Sequence, residues 1–348
     1  MADSPDILFA SLKRILELRE TLSRPDARGL LEFVLDYAPT LPEARIAALL
    51  GALASRGETP DELAGFVDAL RARVITLPLS DAERSQSVDT CGTGGDLSGT
   101  FNISTAAALV AAAAGARVAK HGNRAITSKC GSADVLAALG IPTELAPDDA
   151  AAALRRHGFC FLLAPSHHPA MKAIMPVRRA LGVRTILHVL GPLLNPAGAR
   201  RQVMGVYQPR LVPLVAEAMT MLGVRHAFVV HGDNGLDELA LSGPSEVAEI
   251  KSGPERPHVR VHTIAPEEFG LERAPIHTLL GGDANANAAI LNSIFAGERG
   301  PRRDVVLLNA AAVLVTAGAA SDIPEGIRAA ALAIDSNAVC RLVEALRQ

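Results

Sequence analysis

Over the first ~75 residues apolar positions recur at the spacing of an amphipathic helix. Leu63, Phe66, Val67, Leu70 and Val74 form one stripe, and Ala44–Leu53 is Ala- and Leu-rich enough for a packed helix. Thr59-Pro60-Asp61-Glu62 opens the stripe with an N-cap threonine, a proline in the first turn and a glutamate three residues on, the pattern of a capping box. From about Ser87 the period changes. Glycine-rich turns alternate with Ala-rich runs and short apolar segments. Arg117-Val118-Ala119 and Ala227-Phe228-Val229-Val230 read as strands, Ala106–Ala114 as a helix, and Asp304–Leu308 as either a strand or a buried helix. Strands interleaved with helices predict an α/β sheet covered on both faces. The expectation is a helical unit over residues 1–75, followed by an α/β unit.

The 348 residues are 49% hydrophobic and 20% charged, which suits a folded chain with a sizeable core. A net charge of -3 and an aromatic content of 3% argue against a nucleic-acid partner. No apolar run approaches the ~20 residues a bilayer demands, since Val305–Ala320 is interrupted by Asn309 and Thr316. Met1–Arg14 lacks the basic start and apolar core of a secretory signal, so no membrane partner and a cytoplasmic location are expected. Cys91, Cys130, Cys160 and Cys340 have no metal-type or disulfide-type spacing and read as buried free thiols.

Chemistry concentrates in four segments. Asp89–Asp96, with glycines at 92, 94 and 95, leads into Thr100-Phe101-Asn102-Ile103-Ser104-Thr105. Glycines let backbone N–H groups close on an anion at a helix start, although an ordinary glycine turn is equally compatible. A dinucleotide fingerprint fails at Leu97, and a P-loop fails at Thr100 where lysine is required. Lys120-His121-Gly122-Asn123-Arg124 directly follows a strand candidate, where α/β sheets place ligands. Asp237 and Glu238 are adjacent carboxylates that converge only on irregular backbone. They suit Mg²⁺ completed by substrate oxygens, or else form a solvated surface pair. In His167–Arg179, a helix running through Pro176 would put Arg178 on one face with Met171, Ile174 and Leu181, and a cation there needs an anionic partner.

The ordered set resembles the anthranilate phosphoribosyltransferases of the tryptophan pathway, with their nucleoside-phosphorylase-like fold. Gly57-Glu58-Thr59, Gly92–Asp96, Phe101–Thr105, Lys120–Arg124, Gly131–Gly140, His168–Lys172, Gly182–Thr185, Gly191–Leu193, Asp237-Glu238, Asn287–Leu291 and Asp304–Ala312 carry it. The resemblance implies a small helical domain, residues 1–75 completed by a segment near 169–190. It is hinged to an α/β domain of residues 76–168 and 191–348. The implied reaction moves the phosphoribosyl group of phosphoribosyl pyrophosphate (PRPP) to the amine of anthranilate. Gly92, Gly94, Gly95, Asp96, Thr100, Asn102, Ile103, Ser104 and Thr105 are implied to hold PRPP, together with Lys120, His121, Gly122, Asn123, Arg124, Ala125, Ile126, Thr127 and Ser128. His168, Arg178 and Pro192, with Asn123 and Gly92, would meet anthranilate. Ser104, Asp237 and Glu238 would hold Mg²⁺, two ions per site, and Lys120, Asp96 and Arg178 would be catalytic. A homodimer through the helical domain is also implied. Leu97, His188 and Leu194 depart from the family pattern of Gly, Asn and Thr. A pyrimidine nucleoside phosphorylase or a nucleic-acid-binding relative are the alternative readings.

Overall fold

Four helices, α1 (Ile7–Leu16), α2 (Arg24–Tyr37), α3 (Glu43–Arg56) and α4 (Pro60–Arg71), form the N-terminal unit of the computed structural model. The structure describes residues 7–96, 98–125, 129–252 and 257–348. Leu97, Ile126, Thr127 and Ser128 therefore lie outside the described residues. The capping box at α4 is formed, with the Thr59 hydroxyl accepting from the Glu62 N–H at 3.2 Å and the Glu62 carboxylate accepting from the Thr59 N–H at 3.0 Å. Glu62, itself with no solvent exposure, also accepts from the Leu22 N–H at 2.9 Å and pairs with Arg56. One buried carboxylate thus fixes the start of α4, the end of α3 and the entry to α2. Leu63, Phe66, Val67 and Leu70 are buried as the periodicity requires, whereas Val74 lies beyond the helix end and is half-buried.

The α/β part then runs α5 (Asp81–Gln86), β1 (Ser87–Gly92), α6 (Ile103–Ala113), β2 (Arg117–Gly122), α7 (Ser132–Ala138), α8 (Pro147–His157) and β3 (Phe159–Leu163). After β3 come α9 (Ala164–His167), α10 (Met175–Leu181) and α11 (Leu187–Leu190). The chain continues through β4 (Arg201–Gly205), α12 (Leu211–Met221), β5 (His226–His231), β6 (Ser245–Ser252) and β7 (Pro257–Ile264). It closes with α13 (Ala284–Phe295), α14 (Pro301–Ala317), α15 (Ile323–Asp335) and α16 (Ala338–Leu346). The sheet order is β3-β2-β1-β4-β5-β6-β7, parallel from β3 to β5 and antiparallel beyond.

Both faces of the parallel strands are covered, which explains their continuous apolar character. Val203 and Phe228 face a core built with α6, α14, α15 and α16, while Met204 and Val229 face α12 and the helical unit. Asp304–Leu308 resolves as part of α14, which is buried nearly all round. The segment after β3 is not one helix. Pro169–Ala173 is a 3-10 turn, and Pro176 lies in the first turn of α10, where a missing N–H costs nothing. Met171 therefore does not share a helical face with Arg178. Ile174, Val177, Ile186 and Leu187 join the core of the helical unit. Among the described residues no helix is long and apolar enough to cross a membrane.

Glu62→Gln should lower stability to urea by roughly 1.5–3 kcal/mol, the scale of a hydrogen bond to a charged group. A melt matching wild type would show that the carboxylate does not tie the helices together.

Candidate active site

The strand order places a crevice at one edge. The chain runs outward from β1 to β3, then returns to β4 on the other side of β1, so the loops leaving β1 and β4 diverge. Open α/β sheets bind ligands at such a reversal, beyond the carboxyl ends of the strands. Gly92 ends β1 opposite Gly205, which ends β4. Around them lie the Gly92–Asp96 loop, Lys120–Gly122 at the end of β2 with Asn123–Ala125 beyond it, His167-His168 after β3 and Asp237-Glu238 after β5.

Glycines make this convergence possible. A Cβ on Gly205 would overlap the Asp237 backbone carbonyl, one on Gly92 the Asp237 carboxylate, and one on Gly232 the Glu238 carbonyl. The acidic turn rests on backbone that only glycine leaves bare. From the far side Asn309 of α14 grips the next residue: its Oδ1 accepts from the Leu239 N–H at 3.0 Å and its Nδ2 donates to the Leu239 carbonyl at 2.9 Å. The asparagine that interrupts an apolar helix is therefore a clamp on the site.

Asp237 and Glu238 are not a solvated pair; they are 8% and 9% exposed. Burial, with the Asp96 carboxylate alongside, pushes Asp237 up to about 7. Burial and the Asp237 charge push Glu238 up to about 8. The Ser104 hydroxyl lies beside Glu238 and the Gly94 N–H donates to Asp237 at 2.7 Å. Lys120 is the cation in reach, 1% exposed, donating to the Thr90 carbonyl at 2.7 Å and to the Ser104 hydroxyl at 3.3 Å. Burial lowers its pKa against the pull of Cys91, Asp89, Glu238 and Asp237. Two acids whose charged forms are disfavoured by burial and by neighbouring carboxylates fit a divalent cation. Among the described residues no three His, Cys, Asp or Glu side chains form a ready-made cation site, so ligand oxygens would complete the shell.

The anion side is built from backbone. Gly94 and Gly95 adopt φ of +68° and +75°, and the N–H groups of Gly95 and Asp96 meet no acceptor among the described residues. Ser104 and Thr105 occupy the first turn of α6, with N–H groups likewise unpaired there. Asn102 is held by Asn287 of α13, whose Nδ2 donates to the Asn102 Oδ1 at 2.9 Å, and by its own donation to the Cys130 carbonyl at 3.2 Å. Thr100 pairs its hydroxyl with Ser98 at 3.2 Å. Ile103 and Thr105 bury their side chains in the core and face the site only through backbone. Gly122 packs under Phe161, Asn123 turns its Oδ1 onto the Arg124 N–H, and the Ala125 N–H is spent on Asp134. Arg124 is exposed and ion-paired with Glu144 at 2.8 Å and Asp134 at 3.5 Å.

A second, mostly uncharged group lies past β3. His121 and His168 bring their Nε2 atoms to 3.0 Å. Burial, then the neighbouring His168, holds His121 well below its ordinary range, and burial lowers His168 to about 4. Arg178 is half-buried, with its pKa lowered by burial and no carboxylate partner among the described residues. His188 lies near it, held neutral at about 4 by burial and by the Arg178 charge. Pro192 is buried, its carbonyl accepting from Gln202 at 2.7 Å, and Leu194 is buried in the core of the helical unit. None of the four cysteines is in a disulfide, and Cys340 is only half-buried.

Two family profiles match this architecture: "Glycosyl transferase family, helical bundle domain" over residues 10–74, and "Glycosyl transferase family, a/b domain" over residues 84–339. The anthranilate phosphoribosyltransferase of Brevibacillus brevis is 48% identical over 341 residues, covering 98% of this chain and 97% of its own. The chain belongs to the anthranilate phosphoribosyltransferase family. The Thermus thermophilus member superposes with a TM-score of 0.87 at 40% identity, covering 97% of this chain and 98% of that one. A Saccharomyces cerevisiae member, solved in complex with PRPP and Mg, gives 0.87 at 27% identity over 98% and 97%.

Reading motifs along this family member's chain misses several residues that build the site. Gly205, Asn309 and Arg184 stand in no phosphate- or metal-type pattern, and only the packed structure brings them to the crevice. Asn309 carried a signal, since a polar residue inside an apolar helix needs a partner. Gly205→Ala should cut turnover on the order of a hundred-fold by displacing the acidic turn, with the circular dichroism spectrum kept. Wild-type turnover from this variant would contradict the glycine support.

Proposed function

We infer that this chain transfers the phosphoribosyl group of PRPP to the amine of anthranilate, releasing pyrophosphate, the tryptophan-biosynthetic reaction of its family. The observation that carries this reading is the meeting, at one strand reversal, of unpaired loop N–H groups with a buried acidic turn short of positive charge. The family and the yeast complex with PRPP and Mg support it, as does a second yeast complex with 4-fluoroanthranilate.

In this reading Ser104, Asp237 and Glu238 would hold Mg²⁺, two ions per site, which when bound would supply positive charge against the departing diphosphate. The free N–H groups of Gly95, Asp96, Ser104 and Thr105 bind phosphate oxygens, with Asn102 held in place by Asn287. Lys120 keeps Ser104 and the acidic turn in register and adds positive charge beneath the diphosphate. Arg178, lacking a protein carboxylate, binds the carboxylate of anthranilate by charge-assisted hydrogen bonds. His188 presents a neutral ring near it, and His168, paired with His121, would meet the acceptor. Ribosyl transfer passes through a cationic carbon, so positioning and electrostatics carry most of the catalysis. An aromatic amine is already unprotonated at neutral pH and demands no strong base. Pro192 and Asn123 would border the acceptor, and Ile126, Thr127 and Ser128 would extend the PRPP loop. The 1–75 and 76–348 division, with 169–190 returning to the helical unit, would provide a hinge. Exposed Phe9, Leu16, Leu18 and Tyr37 on that unit support a homodimer through it, and a cytoplasmic location suits the reaction.

Loss of anthranilate fluorescence on mixing with PRPP and Mg²⁺ tests the reading, and folded protein that consumes none would defeat it. Arg178→Ala should weaken anthranilate use by roughly 1.5–3 kcal/mol while sparing PRPP. Equal losses for both substrates would make Arg178 structural.

The acidic pair has a consequence for stability. Carboxyls whose folded pKa is raised contribute stability at acid pH that is lost as pH climbs from their ordinary values, 3.8 and 4.5, through about 7 and about 8. The double variant Asp237→Asn, Glu238→Gln removes this loss. Without metal, its melting temperature relative to wild type should rise steadily from pH 5 to pH 8. A difference independent of pH would contradict buried, metal-seeking carboxylates.

A further inference from the structure

Arg184 stands on the connection between α10 and α11, inside the Gly182–Thr185 segment but with no role that the sequence alone assigns. Its guanidinium carbon lies 4.3 Å from the centre of the Tyr207 ring. The same guanidinium donates to the Gly95 carbonyl in the glycine loop. Tyr207 follows β4, and its backbone N–H donates to the Thr93 hydroxyl at 3.2 Å. Arginine and platform thus both land on the loop, two residues apart. Among the described residues Arg184 has no carboxylate partner, so charge pairing does not explain its place.

The Gly95 carbonyl and the Asp96 N–H belong to one peptide plane, and in a trans peptide they point in opposite directions. Holding the carbonyl on Arg184 therefore aims the Asp96 N–H away from it, as one of the unpaired donors of the loop. Gly94 and Gly95, both at positive φ, are the residues at which such a plane turns most easily. The loop needs an outside restraint to keep one orientation, and Arg184 is placed to supply it. Its own segment packs on the helical unit through Ile186 and Leu187 and carries Arg178 six residues earlier.

We propose that Arg184, stacked on Tyr207, is a positioning residue that fixes the Gly95–Asp96 peptide for the diphosphate of PRPP and joins the helical unit to that loop. This rests on the PRPP reading of the site. The restraint acts on the diphosphate, so its loss raises the Kd and KM for PRPP and leaves the KM for anthranilate and the melting temperature nearly unchanged.

The test is a double-mutant cycle on Arg184→Ala and Tyr207→Leu, read by calorimetric titration with Mg²⁺ and PRPP and by steady-state kinetics. Each single variant should weaken PRPP binding by roughly ten-fold or more, the scale of one charged hydrogen bond. The double variant should be little worse than either, because both remove the same restraint. Tyr207→Phe keeps the ring and should bind as wild type does. If Arg184→Ala does not fold, Tyr207→Leu against Tyr207→Phe decides alone. Unchanged PRPP affinity, or fully additive losses, would overturn the proposal. Wild-type protein that fails to bind PRPP would defeat the functional reading itself, and the proposal with it.

Discussion

The backbone of Asp237 lies against the bare ends of β1 and β4, and the rest of the site depends on that contact. Gly92 and Gly205 face each other across the strand pair, and any side chain on Gly205 would overlap the Asp237 carbonyl. Gly232 leaves the same room for Glu238. An irregular turn can therefore bring two adjacent carboxylates over the sheet's edge, where a helix or strand would point them apart. Asn309 holds the turn from behind, so its position is set by hydrogen bonds as well as by sterics.

Electrostatics follows from this placement. Excluding water from Asp237 and Glu238 raises their pKa values and leaves Lys120 as the nearby counter-charge. Such a site gains most when a divalent cation arrives with its own anion, and the loop facing it is a row of unpaired N–H donors. The region beyond the acidic turn has the opposite character: His121 and His168 pair as neutral rings, and His188, also neutral, lies near Arg178. In the proposed reaction the first region would take the diphosphate and the second, through Arg178, the carboxylate of anthranilate.

Much of this was legible in the sequence because local rules and global packing agree. The capping box at Thr59, the strand before His231 and the helix after Asn102 are encoded by neighbouring residues. The glycine loop and the acidic pair stood out because their residue types are costly anywhere else. The roles of Gly205, Asn309 and Arg184 were illegible because they arise from contacts between residues far apart in the chain. The helix imagined through Pro176 failed because proline begins a helix more readily than it continues one, so α10 starts there as a new helix. Ile103 and Thr105 illustrate another limit: a motif can belong to a site while its side chains belong to the core.

The central claim is that a glycine-supported acidic turn at the β1/β4 reversal holds the metal against the diphosphate loop. Crystals grown with Mn²⁺ and PRPP, measured at the manganese absorption edge, test it most directly. The anomalous signal should lie beside Asp237, Glu238 and Ser104, with the diphosphate over the N–H groups of Gly95 and Asp96. Manganese and diphosphate bound together elsewhere in the molecule, with this turn free of metal, would contradict it.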